Sequence, residues 1–490
     1  MSSRKSIYGK VTKRLGKGTY GSVYLTDKDY AVKISCDPYT DEIYSSDMLR
    51  EASMMTYFDH PNIMKPIDIL NTQTGILSIK PGTHKTKGTA MILDKMDYDL
   101  EAYITSLKQN ETYHFDIDLL KSFVYQIASG MLHYMNYNLY HADLKPGNLL
   151  IKGDTIKITD FGLCFLMSYC QSADRFCTLA YKPPEAAFAD PNITPQIDIW
   201  SLGCIIYRMF TGQLLFSDDS LSDLRKEICT LLGFPSYNDY PHIYDLDSFV
   251  KYKNDHSEFI GDPVGLVNKL KEENFPDDLI DLLSKILVFN PEKRIRIEDI
   301  LIHPFLNHTS EVKRLSPIES LQLRETPVYD IDEGLYDNAE KILDDFEQLQ
   351  WIDYCYDHQE LNYEQKHLML SHIFMLLALL KDFKMPFTDR TIKGTIAIAG
   401  IVHSLYIDNS DKSCDKSCDK FLKKIVGIML KKFNWKIFPT TIYEYYLAMK
   451  PKDFSLENHI LVTNRIMEYY KTPERLKESP LSLAREALTF

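Results

Sequence analysis

No run of this 490-residue chain is long and apolar enough to cross a bilayer. The longest candidate, Leu368–Leu380, contains His372 and falls short of the roughly 20 residues a spanning helix needs, so a buried helix is expected there. An apolar signal core is missing as well: Met1-Ser2-Ser3-Arg4-Lys5 leads into a strand pattern, and no membrane association is expected. Excess positive charge is absent. The net charge of −13 excludes a generic nucleic-acid surface and leaves basic protein partners open. Cysteine is sparse and odd in number, nine in all, which argues against a disulfide framework and for a reducing, intracellular setting, cytoplasm or nucleus. Cys414 and Cys418 lie four apart in the tandem repeat Asp411–Lys420, with no second pair or histidine beside them. A loop insertion by repeat slippage is the simpler reading than a zinc site. Glycine and proline are modest against high Ile, Lys, Asn, Asp and Tyr, a composition typical of an AT-rich genome.

What is present is chemistry. The chain reads His141-Ala142-Asp143-Leu144-Lys145-Pro146-Gly147-Asn148, then a short strand pattern, then Asp160-Phe161-Gly162. A carboxylate at Asp143 can orient and deprotonate a hydroxyl, and Lys145 can offset charge on a transferring phosphate. Asn148 and Asp160 offer the hard oxygen ligands that suit magnesium. Upstream, Gly16-Lys17-Gly18-Thr19-Tyr20-Gly21-Ser22-Val23 lies between strand-like segments Tyr8–Leu15 and Val23–Thr26. Glycines here let backbone N–H groups approach phosphate oxygens. A dinucleotide fingerprint requires a helix straight after the glycines. Instead comes the strand Tyr30-Ala31-Val32-Lys33-Ile34, one lysine among apolar neighbours. Glu51, in a helical segment about Asp47–Phe58, is its candidate partner, and the pair would aim the ammonium at the α- and β-phosphates of ATP.

With these motifs the chain resembles a eukaryotic protein kinase over about residues 7–306, and specifically the cyclin-dependent kinase family. Met91 to Met96 resembles the hinge that reads adenine through backbone groups, with Leu93 at the gatekeeper position. Lys182-Pro183-Pro184-Glu185 stands where the family has Ala-Pro-Glu, and Asp198 begins a match to the buried-aspartate helix. Arg294, in Asn290–Arg294, is the family's partner for Glu185, and His303-Pro304-Phe305 resembles the end of the domain. Leu231 to Pro235 and the stretch after it resemble the insert of the cyclin-dependent and MAP kinase group. The resemblance implies ATP and Mg2+ as cofactors. It assigns Asp143 and Lys145 to catalysis and Asn148 and Asp160 to metal. Nucleotide contacts fall to Leu15, Gly16, Lys17, Gly18, Thr19, Tyr20, Gly21, Ser22, Val23, Lys33, Glu51, Asp94 and Met96. Support falls to Thr178, Glu185, Asp198 and Arg294. Lys145 and Thr178 together imply serine or threonine of protein substrates as the acceptor.

Several positions depart from that family. Ala142 and Phe165 occupy positions where relatives carry arginines that clasp an activation-loop phosphothreonine; Arg50 keeps the third, and the phosphosite falls near Ser172 and Ala173. Lys182 replaces the arginine that shapes the pocket for a proline after the target residue, which puts proline-directed specificity in doubt. Thr19 and Tyr20 match the pair phosphorylated to inhibit relatives, or are kept for loop shape.

Beyond the domain end a polar stretch, 307–337, reads as a linker, and 338–490 reads as helices marked by Leu376, Ile396, Val426, Val462 and Ile466. Trp351, Leu361–Glu364, Ala397–Tyr406 and Phe433–Thr440 resemble segments of a cyclin box, with a generic helical extension as the other reading. The fold expected is therefore α+β and two-lobed (1–93 and 94–306), followed by an all-α, cyclin-like domain. That domain is expected to dock intramolecularly on the N-terminal lobe, and such a fusion suggests a large DNA virus as source. The competing reading is an inactive nucleotide-binding scaffold that displays the helical domain.

Overall fold

Every second side chain of Tyr30–Ser35 faces one side of a sheet, and this alternation organises the N-terminal fold. The computed structural model describes residues 7–18, 21–35, 46–71, 89–109, 113–137, 139–166, 177–217, 219–256, 264–306, 449, 462, 465–466 and 480–488. The linker, nearly all of the cyclin-like segment, Thr19, Tyr20, Ser172, Ala173, Cys414 and Cys418 lie outside them. Two units are distinguished, one of Met1–Tyr57, Pro66–Asp94 and Leu315–Phe490, the other of Phe58–Lys65 and Lys95–Arg314.

In the first, β1 (Val11–Gly18), β2 (Gly21–Thr26), β3 (Tyr30–Ser35), β4 (Asp68–Asn71) and β5 (Thr89–Asp94) form an antiparallel sheet in the order β1-β2-β3-β5-β4. Strand β1 runs later than the expected Tyr8–Leu15, because Lys17 and Gly18 themselves pair with Ser22 and Gly21. Tyr8 instead packs edge-on against Tyr30 and donates its hydroxyl to Asp68. Val32, Ile34, Leu70, Ala90 and Ile92 bury one face of the sheet. Successive strand residues point to opposite sides, so Lys33 takes the other face. Helix α1 (Ser46–Tyr57) buries Met48, Glu51, Ala52 and Met55, one stripe at helical spacing.

The second unit is mainly helical. Its elements before the long helices are β6 (Tyr98–Asp99) and α2 (Leu100–Leu107). Helix α3 (Ile117–Met135) is capped by the Asp116 side chain, which accepts from the Leu119 N–H, and buries Leu120, Val124, Ile127, Met131 and Tyr134. After β7 (Leu139–Tyr140) come β8 (Leu149–Lys152), β9 (Thr155–Ile158) and β10 (Phe165–Leu166). A second ladder runs β6-β8-β9, and β10 pairs with β7. Then follow α4 (Pro184–Ala187), α5 (Gln196–Thr211), α6 (Leu221–Leu232), α7 (Asp247–Asp255), α8 (Gly265–Glu272), α9 (Asp277–Ile286) and α10 (Ile297–Leu301). Helix α5 is buried along most of its length and stops at Gly212, whose φ of 70° suits glycine. Further along the chain, Val462 and Ile466 are helical and buried, and a helix spans Pro480–Ala487. Among the described residues no helix is long and apolar enough to cross a membrane.

The short segment Phe58–Lys65 is fixed to the helical unit by polar contacts. Met64 N–H donates to the Ile158 carbonyl and Ile158 N–H to the Asn62 carbonyl, both at 2.8 Å. His60 Nδ1 accepts from the Asn62 N–H at 3.1 Å, so its Nε2–H faces Ser129 Oγ at 3.1 Å. Burial, followed by the nearby His133, pushes the His60 pKa down to about 4, and burial also lowers that of His133. The unfolded chain, with His60 near 6.5, therefore binds more protons between these values. Stability from this contact is fully present above about pH 6.5 and drains away as pH falls toward 4. Wild type is expected to lose about 1–2 kcal/mol over that window after discounting for partial exposure. His60→Asn should flatten the slope in denaturant titrations at several pH values; an unchanged slope would remove His60 as its source.

Candidate active site

In the helical unit the loop after β7 is held by one buried carboxylate. Asp198, on α5 and fully buried, accepts from the His141 N–H at 2.6 Å, the Ala142 N–H at 3.1 Å and the Tyr134 hydroxyl at 2.9 Å. Burial raises the Asp198 pKa, opposed by His141 and by these hydrogen bonds. Burial and the same carboxylate push the Tyr134 phenol up, so it stays a donor. Ala142 has a φ of 65°, a left-handed conformation that an L-residue adopts at a penalty. It is held there by its own N–H on Asp198 and by its carbonyl, which accepts from the Cys177 N–H at 2.7 Å. His141 completes the turn. Its Nε2–H donates to the Thr159 carbonyl at 2.9 Å, which leaves Nδ1 to accept from the Asp143 N–H at 3.2 Å.

That turn presents Asp143. Its Oδ1 accepts from the Thr178 hydroxyl at 2.7 Å and the Thr178 N–H at 3.0 Å, and its Oδ2 accepts from Lys145 Nζ at 2.7 Å. Lys145 also donates to Thr178 Oγ1 at 2.8 Å, which closes a triangle of ammonium, carboxylate and hydroxyl. Asp143 retains 12% and Lys145 31% side-chain exposure, so the triangle is open to solvent at one side. Asn148 commits Nδ2 to the Asp143 carbonyl at 2.8 Å. Its Oδ1 is then the atom left for a hard cation.

Asp160 is also left-handed, with φ 67° and ψ 58°. The ring that follows fixes it: Phe161 is fully buried, with centroids 4.8 Å from His141, 5.0 Å from Phe58 and 5.8 Å from Tyr134. Asn148 and Asp160 bring an amide and a carboxylate oxygen, a donor set that fits magnesium rather than a soft metal. No cluster of three or more His, Cys, Asp or Glu suited to a metal occurs among the described residues.

Farther along the same unit, Glu185 and Arg294 form a bidentate ion pair with both contacts at 2.6 Å, essentially without solvent exposure. It fixes the start of α4 against the turn before α10.

The sheet unit contributes a second group. Lys33 Nζ lies 2.7 Å from each carboxylate oxygen of Glu51, with side-chain exposures of 14% and 3%. Across the sheet Gly16 pairs with Val23, Val23 with Lys33, and Lys33 with Met91. Directly paired residues share a face, so the glycine strand, Val23 and the lysine stand in one row beside the buried Met91. Leu15, within β1, is 46% exposed. Asp94 ends β5 and is exposed; Met96, in the other unit, is half-buried. Gly18, Gly21 and Ser22 lie in the β1–β2 ladder.

Of the expected residues, Lys33 and Glu51 meet in the sheet unit and Asp143, Lys145, Asn148 and Thr178 in the helical unit, whereas Thr19 and Tyr20 lie outside the described residues. The motifs did not reveal the left-handed Ala142, Asp160 and Cys177 or the His141 bonding pattern. They also missed the pairing of Arg208 with Glu101 at 2.6 Å. The family described as protein kinase domain matches residues 10–306.

Proposed function

The chain belongs to the protein kinase family through residues 10–306, and from that premise we propose that it transfers the ATP γ-phosphoryl to serine or threonine of protein substrates. The Asp143–Lys145–Thr178 triangle carries the reading. A lysine two residues past the carboxylate, bonded to a threonine hydroxyl, is the pattern by which the chain resembles serine/threonine kinases. Asp143 Oδ2 accepts the hydroxyl proton as the oxygen attacks in line. Lys145 offsets charge on the moving phosphoryl group, and Lys33, held by Glu51, binds the α- and β-phosphates. Backbone N–H groups around Gly16 to Gly21 cover the phosphates, and the ends of β5 and the residues to Met96 read adenine. Asn148 and Asp160 would hold magnesium, which when bound neutralises phosphate charge. Incubation with labelled ATP, magnesium and a mixed basic-protein substrate is expected to yield phosphoserine and phosphothreonine. Phosphotyrosine as the main product would overturn the assignment.

Activation is proposed to resemble that of the cyclin-dependent kinases in a rearranged form. The positions that would clasp an activating phosphate hold Ala142, fully buried, and Phe165, in β10. One remaining arginine gives a charge-assisted hydrogen bond of about 1.5–3 kcal/mol. Moving a two-state loop from 1:99 to 99:1 takes roughly 5.5 kcal/mol. The fused C-terminal segment, read as cyclin-like, is proposed to supply the difference by holding α1 so that Lys33 and Glu51 stay paired. A linker of about thirty residues, if flexible, places a tethered partner at roughly millimolar effective concentration. Phosphatase treatment is accordingly expected to change the rate less than about tenfold, whereas residues 1–310 expressed alone should be much less active. The opposite pattern would refute the scheme.

A further inference from the structure

Away from these groups, the helical unit contains a cleft of about 460 Å³ between the end of α3, the start of α5, the turn at Pro241–Asp245 and the segment before α10. Its volume falls in the roughly 300–1,000 Å³ range of ligand sites. None of Asp143, Lys145, Asn148, Asp160 or Thr178 lines it. Met135, Pro195, Ile199, Pro291 and Ile297 make its apolar walls, and Met135, Ile199 and Ile297 are buried.

The polar groups are unevenly charged. Asp190, 1% exposed, is fixed by the Tyr240 hydroxyl at 3.1 Å, the Asn192 N–H at 2.8 Å and His242 Nε2 at 3.1 Å. Arg296, the one guanidinium in the lining, is already turned to Asp299 at 2.9 and 3.3 Å. Glu292 is exposed in the lining, and Asp245 stands 3.8 Å from His242 Nδ1. Carboxylates therefore outnumber cations around the opening, which favours a positive occupant and disfavours an anion.

Apolar walls and a negative rim together describe a long side chain with a methylene stem and a cationic head. Arginine fits better than lysine, because its planar head carries five donors and is more weakly hydrated. We infer that this cleft is a docking site for an arginine side chain presented by a partner polypeptide, separate from the site of phosphoryl transfer. The inference rests on the cleft alone and holds whatever the acceptor residue proves to be.

The full chain labelled at methionine methyl groups tests it by NMR, since Met135 forms part of the wall; its signal is identified through Met135→Leu. The probe is Nα-acetyl-arginine methylamide. A saturable shift of the Met135 methyl at millimolar probe is expected, weakened at least about threefold for the uncharged citrulline analogue and again by Glu292→Lys. Asn192→Trp, at the exposed rim, should abolish the shift by filling the opening. Thermal unfolding checks that both variants are folded. No Met135 shift at tens of millimolar probe, an equal response to the citrulline analogue, or full binding by folded Glu292→Lys would each overturn the docking site.

Discussion

Asp143→Asn is expected to lower the rate of phosphoryl transfer by about 10²- to 10⁴-fold, the range for loss of a positioned general base. In barrier terms this is roughly 3–5 kcal/mol. The environment explains why the replacement is not silent. Oδ1 receives two donors from Thr178, and an amide oxygen can serve those equally well. Oδ2 faces Lys145 Nζ at 2.7 Å and Asn148 Nδ2 at 3.4 Å, both donors, so an amide NH2 there meets donors only. Lys145 must then turn away or rely on Thr178 alone. The variant loses the base, misplaces the cation and keeps the fold, because Asp143 retains contact with solvent and its backbone N–H still bonds His141. Steady-state rates with saturating ATP, beside a melting curve, measure both sides of this statement. A folded variant that retains more than about a tenth of the wild-type rate would show that the carboxylate is not the base.

Arg294→Ala should produce the largest loss of stability, about 3–5 kcal/mol. All five guanidinium donors are used. Nε donates to Val288, Nη1 to Glu185 and the Gln196 carbonyl, and Nη2 to Glu185 and the Phe289 carbonyl. The guanidinium carbon also lies 5.1 Å from the Trp200 ring centre. Truncation leaves the Glu185 carboxylate buried with no counter-ion, along with three carbonyls that lose a donor. Against a net stability of about 5–15 kcal/mol this is a large fraction. The melting temperature is expected to fall by roughly 6–20 °C. Arg294→Lys should fall between, since an ammonium cannot reproduce the paired contacts. Adding Glu185→Gln to Arg294→Met should restore part of the loss, because the stranded charge is then gone. Equal melting of wild type and Arg294→Ala would mean that the pair contributes nothing.

Much of this was legible before any fold was known. The order of Asp143, Lys145, Asn148 and Asp160 along the chain states which atoms are needed, because a carboxylate, an ammonium and hard oxygens have few substitutes. Alternation in Tyr30–Ser35 likewise places Lys33 on the face opposite Val32 and Ile34, a consequence of strand geometry alone. Glu51 was a candidate partner by its place in a helical segment after that strand, and the fold makes the contact. Other features had no local sign. Nothing near Thr178 announces that it will meet a carboxylate thirty-five residues earlier. The same holds for the segment Phe58–Lys65, which lies between α1 and β4 in sequence but belongs to the helical unit.

The sequence by itself determined the chemical inventory and the strand and helix periods, since both depend on residue type and short spacing. Tertiary structure alone decided the left-handed Ala142 and Asp160, the proton positions on His141, the Glu185–Arg294 pair's complete burial and the charge around the Asp190 cleft. These arise where distant segments compete for the same buried donors and acceptors. That competition is settled by packing, which joins residues more than a hundred positions apart.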